Sequence, residues 1–146
     1  MSEFSGKVAL VTGSSSGIGE AIARRLSALG AAVVINSAKS VEAGERIAAE
    51  LGKDAIYLQA DISDKAAGER LLAATVERFG RIDILVNNAG WTTAIPHQDL
   101  AALTDEIFAR TFEVNVTGTW LLTKAAMPYL MNSDDGNVIN ITSIAG

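Results

Sequence analysis

The sequence contains no cysteine. Disulfides, thiolate nucleophiles and cysteine-ligated metals are therefore excluded. Its one histidine, His97, lies in a polar loop between Pro96 and Gln98, and a metal site needs more ligands than that neighbourhood offers. No long apolar run exists: the longest uncharged stretch, Ile84 to Gln98, includes Asn, Thr, Pro and His and cannot span a bilayer. A basic excess is missing as well. The formal net charge is 12 − 17 = −5, with no cationic cluster of the kind that tracks a phosphate backbone. The opening residues, Met1 to Lys7, lack the apolar core of a secretory signal. These absences predict a soluble cytoplasmic protein with no metal, nucleic-acid or membrane partner.

What is present is apolar and periodic. Hydrophobic residues make up 49% of 146 positions, enough for one domain with a real core. Short apolar runs predict strands over Val8–Thr12, Ala32–Asn36, Ala55–Ala60, Asp83–Asn87 and Asn137–Thr142. Several are apolar at consecutive positions, the pattern of strands buried on both faces. Helical periodicity separates them, with Ile47, Ala48 and Leu51 on one face of Val41–Leu51, and Leu72, Val76 and Phe79 on one face of Ser63–Phe79. A longer helix is expected from Thr104 to about Met131, loosened near Pro128. Ser40, Ser63 and Thr104 stand at the expected N-caps. Alternating strands and helices imply an α/β fold with a doubly wound parallel sheet of Rossmann type. Trp91 and Trp120 read as packing groups, although Trp91 could border a pocket.

The first strand breaks into Thr12-Gly13-Ser14-Ser15-Ser16-Gly17-Ile18-Gly19 and then a helix. Glycine permits backbone angles and close approaches that a Cβ forbids. A helix start offers unpaired N–H groups and the positive end of the dipole. Strand, glycine turn and helix together make an anion site suited to a dinucleotide pyrophosphate. Gly13, Ser15, Ser16, Gly17, Ile18 and Gly19 are the candidate phosphate-binding residues. The glycine spacing is G-x-x-x-G-x-G rather than the usual G-x-G-x-x-G. In that spacing the chain resembles the short-chain dehydrogenase/reductase family, and in particular 3-oxoacyl-ACP reductase-like members. Asn87-Asn88-Ala89-Gly90, at the end of the fourth strand, strengthens the resemblance.

The resemblance implies a fold of which five strands are present and an oxidoreductase that moves a hydride between a nicotinamide cofactor and a carbonyl or alcohol. It implies that Asp61, with Ile62 beside it, meets the adenine amino group. Asn88, Ala89 and Gly90 would line the adenosine site. Asn115, in Phe112-Glu113-Val114-Asn115, would hold a relay water. Ser143 would hydrogen-bond the substrate oxygen. Read alone, Asn115 is a core amide with satisfied partners and Ser143 a turn residue. A homo-oligomer is implied too, through the long helix.

Cofactor preference is read from the end of the second strand. Many NAD-binding folds carry an acid there that accepts from the adenosine ribose. This chain has Asn36, then Ser37 and Lys39, which favours NADP(H) over NAD(H). Lys39 is open to two readings, a phosphate contact or a solvated surface lysine. The family's proton donor is the Tyr of a Tyr-x-x-x-Lys pair, in which the ammonium one helical turn away lowers the phenol's pKa. Tyr57 is followed four positions on by Asp61, and Tyr129 by Ser133. Residues 1–146 therefore read as an incomplete dinucleotide-binding domain lacking the Tyr-x-x-x-Lys and substrate-binding segments, inactive alone. The alternative is a non-catalytic nucleotide-binding module or an inactive fragment.

Overall fold

A computed structural model describes residues 2–144; Met1, Ala145 and Gly146, the ends of the expected domain, lie outside the described residues. The chain runs β1 (Val8–Val11), α1 (Gly17–Ala28), β2 (Ala32–Ser37), α2 (Val41–Leu51), β3 (Ala55–Gln59), α3 (Lys65–Phe79) and β4 (Ile84–Asn87). It continues through a short 3-10 turn (Leu100–Ala102), α4 (Asp105–Phe112), a π-helical segment (Glu113–Gly118), α5 (Thr119–Met131) and β5 (Asn137–Asn140). The five strands form one parallel sheet in the order β3-β2-β1-β4-β5. The order reverses between β1 and β4, so both loops leaving those strands open at the same crevice.

Residues alternate between the two faces of a strand, and both faces are covered. On one face Leu10, Val34 and Leu85 pack with Leu71 and Leu72 of α3 and Leu122 and Ala126 of α5. On the other face Ala9, Val11, Val33, Ile35 and Val86 pack with Ala23 of α1 and Ile47 of α2. Every residue of β1 and β4 is buried, which explains the unbroken apolar sequence of β1 and of Ile84–Val86 in β4. β5 differs. All of its residues are exposed, with Val138 and Ile139 partly bare at the sheet's edge.

Three expectations need correction. Helix α3 begins at Lys65 and is capped by Asp64, whose side chain accepts from the Ala67 N–H; Ser63 is not the cap. The Ser63 hydroxyl is engaged with Asp61 and Arg110 instead. The helix expected from Thr104 to Met131 is not continuous, because one wider turn at Glu113–Gly118 separates α4 from α5. Helix α5 runs on through Pro128 to Met131. Thr104 does cap α4, accepting from the Ile107 N–H, whereas Ser40 precedes α2 without a side-chain cap bond.

Asp83 fastens the end of the sheet remote from the crevice. Its carboxylate is fully buried and accepts from the Val8 N–H, from the Arg81 guanidinium and from the Ser133 hydroxyl. Burial alone would raise this carboxyl, but the donors from Arg81, Ser133 and Val8 outweigh it and hold it below the ordinary 3.8. A depressed folded-state pKa gives stabilisation that is complete above the unfolded value and is lost as pH falls through the folded one. Asp83→Ala is expected to cost about 2–3 kcal/mol at neutral pH in urea unfolding, with the deficit shrinking below about pH 4. A deficit unchanged between pH 7 and pH 3 would contradict this role.

Candidate functional site

The turn between β1 and α1 is held by side chains from neighbouring strands. Thr12 Oγ1 accepts from the Asn88 and Ala89 N–H groups at 3.1 and 2.9 Å and donates to Val86 O at 3.3 Å. One hydroxyl thereby uses its donor and both acceptor positions. Asn88 Nδ2 donates to Thr12 O at 3.1 Å and Gly13 O at 3.0 Å. On the other flank, Asn36 Oδ1 accepts from the Gly13 N–H while its Nδ2 donates to Leu58 O and Ala60 O. Ser14 Oγ donates to Val11 O at 2.6 Å and accepts from the Asn36 N–H at 3.0 Å. Asn36 is 1% exposed and ties the β1–α1 turn to the end of β3. Its side chain is occupied inward.

The glycines answer to this packing. Gly13 has φ +60°, and a Cβ there would lie 2.8 Å from Ala89 Cα. Gly19 has an ordinary helical backbone but no room. A Cβ would lie 2.4 Å from both Asn88 Nδ2 and Gly13 O. Gly17, at φ +58°, faces open space, with nothing within 4 Å of a Cβ.

Above this turn lies a cleft of about 440 Å³. Of the predicted residues it gathers Gly13, Ser15, Ser16, Gly17, Ile18, Ser37, Asp61, Ile62, Asn88, Ala89 and Gly90. Gly19, Lys39, Asn115 and Ser143 are not among its walls. Gly19 acts underneath, as the contact that lets α1 approach Asn88. Lys39 is exposed just past β2, next to Ala38, which does line the cleft. Ser37 is nearly buried and its hydroxyl lies 2.8 Å from Tyr57 Oη. Ser143 is exposed three residues beyond β5.

Asp61 sits in the wall with partners on both oxygens. Oδ1 accepts from the Ser63 N–H at 3.0 Å and its hydroxyl at 2.7 Å; Oδ2 accepts from Arg110 Nη2 at 2.7 Å. Partial burial pushes the carboxyl up, and the bonds from Ser63 and Arg110 outweigh it and keep it below the ordinary range. Arg110 Nη1 also donates to Ser63 Oγ at 2.6 Å. Asn115 clamps the loop after β4: its Oδ1 accepts from the Trp91 N–H at 2.7 Å and its Nδ2 donates to Trp91 O at 2.8 Å. It is exposed rather than set in an apolar face. The extra residue of the π-helical turn accompanies this reach.

Sequence reasoning missed Arg110, Ala38 and the bracing roles of Thr12 and Asn36. Trp91, which follows the Gly90 turn, does line the cleft. Arg110 carried no local signal, since its partner Asp61 is 49 positions away. Among the described residues no group of three or more His, Asp or Glu side chains could hold a metal ion, and no helix is long and apolar enough to cross a membrane.

The first helical N–H groups of α1 have no partner within the helix, and the N-cap Ser16 makes no side-chain cap bond there. Those donors, the bare Cα of Gly17 and the dipole end converge on the cleft at the switch point of a parallel sheet. This defines the class: a doubly wound α/β protein with a helix start suited to an anion at its switch point. The sequence profile of the family described as short chain dehydrogenase matches residues 7–146, and the chain belongs to that family.

The chain is 58% identical over 139 residues to a Streptomyces violaceoruber protein named as ketoacyl reductase 2 of the granaticin polyketide synthase; the match covers 95% of this chain and 55% of that protein. It is 40% identical over 151 residues to a 3-oxoacyl-[acyl-carrier-protein] reductase of Synechocystis, covering 100% of this chain and 59% of that one. Among solved structures, a short chain dehydrogenase from Burkholderia cenocepacia in complex with NADP matches with TM-score 0.88 and 40% identity, covering 97% of this chain and 57% of that chain. A 3-ketoacyl-(acyl-carrier-protein) reductase from Brucella melitensis complexed with NADH matches with TM-score 0.90 and 36% identity, covering 97% and 58%. The chain thus spans little more than half the length of these relatives.

The two inner glycines are expected to separate in mutational tests. Gly17→Ala meets only the left-handed backbone penalty, roughly 1–2 kcal/mol in thermal or urea unfolding. Gly19→Ala drives a methyl into Asn88 and the Gly13 carbonyl, and a cost of about 3 kcal/mol or more is expected. Equal costs would show that the turn is not packed as described.

Proposed function

We propose that the chain is the cofactor-binding portion of a nicotinamide-dependent oxidoreductase acting on a carbonyl or alcohol. The observation that carries this reading is the cradle at the start of α1, where free helix donors, an uncapped Ser16 and the bare Gly17 open on one cleft. A nicotinamide dinucleotide, when bound, supplies a hydride acceptor or donor. Gly13 to Gly19 grip its pyrophosphate through backbone N–H groups and the dipole of α1. Asp61 and Ile62 hold the adenine, and Asn88, Ala89 and Gly90 line the adenosine.

Ser143 donates to the substrate oxygen and fixes its orientation. Asn115 anchors the loop at Trp91 and holds a water for proton relay. No Tyr in residues 1–146 has a Lys four positions on, so the proton itself comes from a group outside this stretch. The names of the relatives favour a 3-oxoacyl substrate, with sugar alcohols as the other class considered. The protein works in the cytoplasm as a homo-oligomer. Phe108, Phe112, Val116 and Trp120, four residues apart on the α4–α5 segment, together with Met127 and Met131, are exposed and supply an apolar surface for it.

NADP(H) is the preferred cofactor, supported by Asn36 and Ser37 where an acid would repel a 2′-phosphate and by Lys39 one residue past the cleft wall. Titration of nicotinamide fluorescence is expected to show NADPH binding at least about ten-fold more tightly than NADH, and Lys39→Ala to narrow that ratio. Tighter NADH binding would contradict the preference. Residues 1–146 alone are expected to show no carbonyl reduction; measurable turnover would mean that the proton donor lies within them.

A further inference from the structure

Arg110 is not a residue that the glycine turn or the Asn-Asn-Ala-Gly segment would suggest, yet it lines the same cleft as they do. It comes from α4, on the far side of the cleft from the β1–α1 turn. Its guanidinium forms a closed triangle with Asp61 and Ser63: Nη2 to Asp61 Oδ2, Nη1 to Ser63 Oγ, and Ser63 Oγ to Asp61 Oδ1. Glu113, at 3.7 Å from Nη1, is the other charge beside it.

The geometry has a directional consequence. An ionised carboxylate offers about four acceptor positions. Here Oδ1 receives two donors from Ser63 and Oδ2 receives one from Arg110. What remains is one acceptor position, on Oδ2. The Asp61 side chain is 36% exposed, so that position is within reach of a ligand. Only a fork can hold this arrangement, because one guanidinium nitrogen must reach Asp61 while another reaches Ser63. A lysine supplies the charge without the second, fixed donor.

We propose that Arg110 is a positioning residue that turns Asp61 into a single fixed acceptor, and that this makes the cleft discriminate between purine bases by their 6-substituent. This rests on the reading of the cleft as a dinucleotide site with its base at Asp61. A base carrying an exocyclic amine donates to Oδ2. A 6-oxo base presents an acceptor at that position, and its nearest donor, N1–H, is displaced to the neighbouring ring atom, so an Oδ2 held in one place loses the bond that the amine makes. Arg110 acts on the base through Asp61, whose Oδ2 it holds.

The test is a comparison of dissociation constants for NADPH and its hypoxanthine analogue, by nicotinamide fluorescence, on the purified protein and two variants. The unmodified protein is expected to favour the adenine form by roughly ten- to a hundred-fold. Arg110→Lys and Ser63→Ala are each expected to reduce that ratio at least several-fold, chiefly by weakening NADPH, with the hypoxanthine analogue little changed. A general structural lesion would weaken both ligands together and leave the ratio intact, and that result would overturn the proposal. Equal affinities in the unmodified protein would also overturn it while leaving the dinucleotide reading standing. Binding of neither ligand would overturn both. Two independent variants carry the positioning role, so a ratio measured on either one decides it if the other fails to fold.

Discussion

The structure depends on a turn that cannot move. Between β1 and α1 the chain must reverse, and the amides that open α1 stay outside the helix's own bonds. Those two conditions leave the inner carbonyls and amides of residues 12–14 in need of partners away from water. Asn88 supplies donors to Thr12 O and Gly13 O, and Asn36 supplies an acceptor to the Gly13 N–H. Thr12 completes the set with a saturated hydroxyl, and the Ser14 hydroxyl both donates and accepts. Each of these bonds contributes only about 1 kcal/mol net, but an orphaned partner in this setting costs 1–3 kcal/mol. The network therefore works mainly by making every alternative turn expensive.

The same logic explains why amides rather than acids or aliphatics end β2 and β4. A carboxylate at Asn36 or Asn88 could not donate, and Leu58 O, Ala60 O, Thr12 O and Gly13 O would lose their partners. Leucine at either place would fit the apolar strand and strand the turn. Gly19 belongs to this account: its missing side chain is the space that Asn88 occupies. The glycines and the asparagines are one device. The far wall repeats the theme with charge, Asp61 and Arg110 locking the β3–α3 connection to α4.

Much of this was legible in the amino-acid sequence. Unbroken apolar runs at Val8, Ala32 and Ile84 are what a sheet covered on both faces requires, and the glycine spacing placed the turn and the helix. Five contributions were not legible. Ser63 is a good cap by type, but its hydroxyl is drawn to Asp61 and Arg110, so Asp64 takes the role. The π-helical turn inserts a residue into a 3.6-residue period, which no periodicity can announce, and Asn115's reach to Trp91 is visible only once α4 and the β4 loop lie together. Arg110 needed the same assembly. Asn36 looked like the absence of an acid; its positive role, tying the β1–α1 turn to the end of β3, is long-range.

The central claim is that the braced turn at residues 13–19 holds the diphosphate of the cofactor. A crystal structure of the protein with NADPH tests it most directly. The account predicts diphosphate oxygens within hydrogen-bonding distance of the amides opening α1, with Asn36 and Asn88 keeping their bonds to Gly13. Diphosphate density elsewhere on the molecule, with this turn empty, would contradict it.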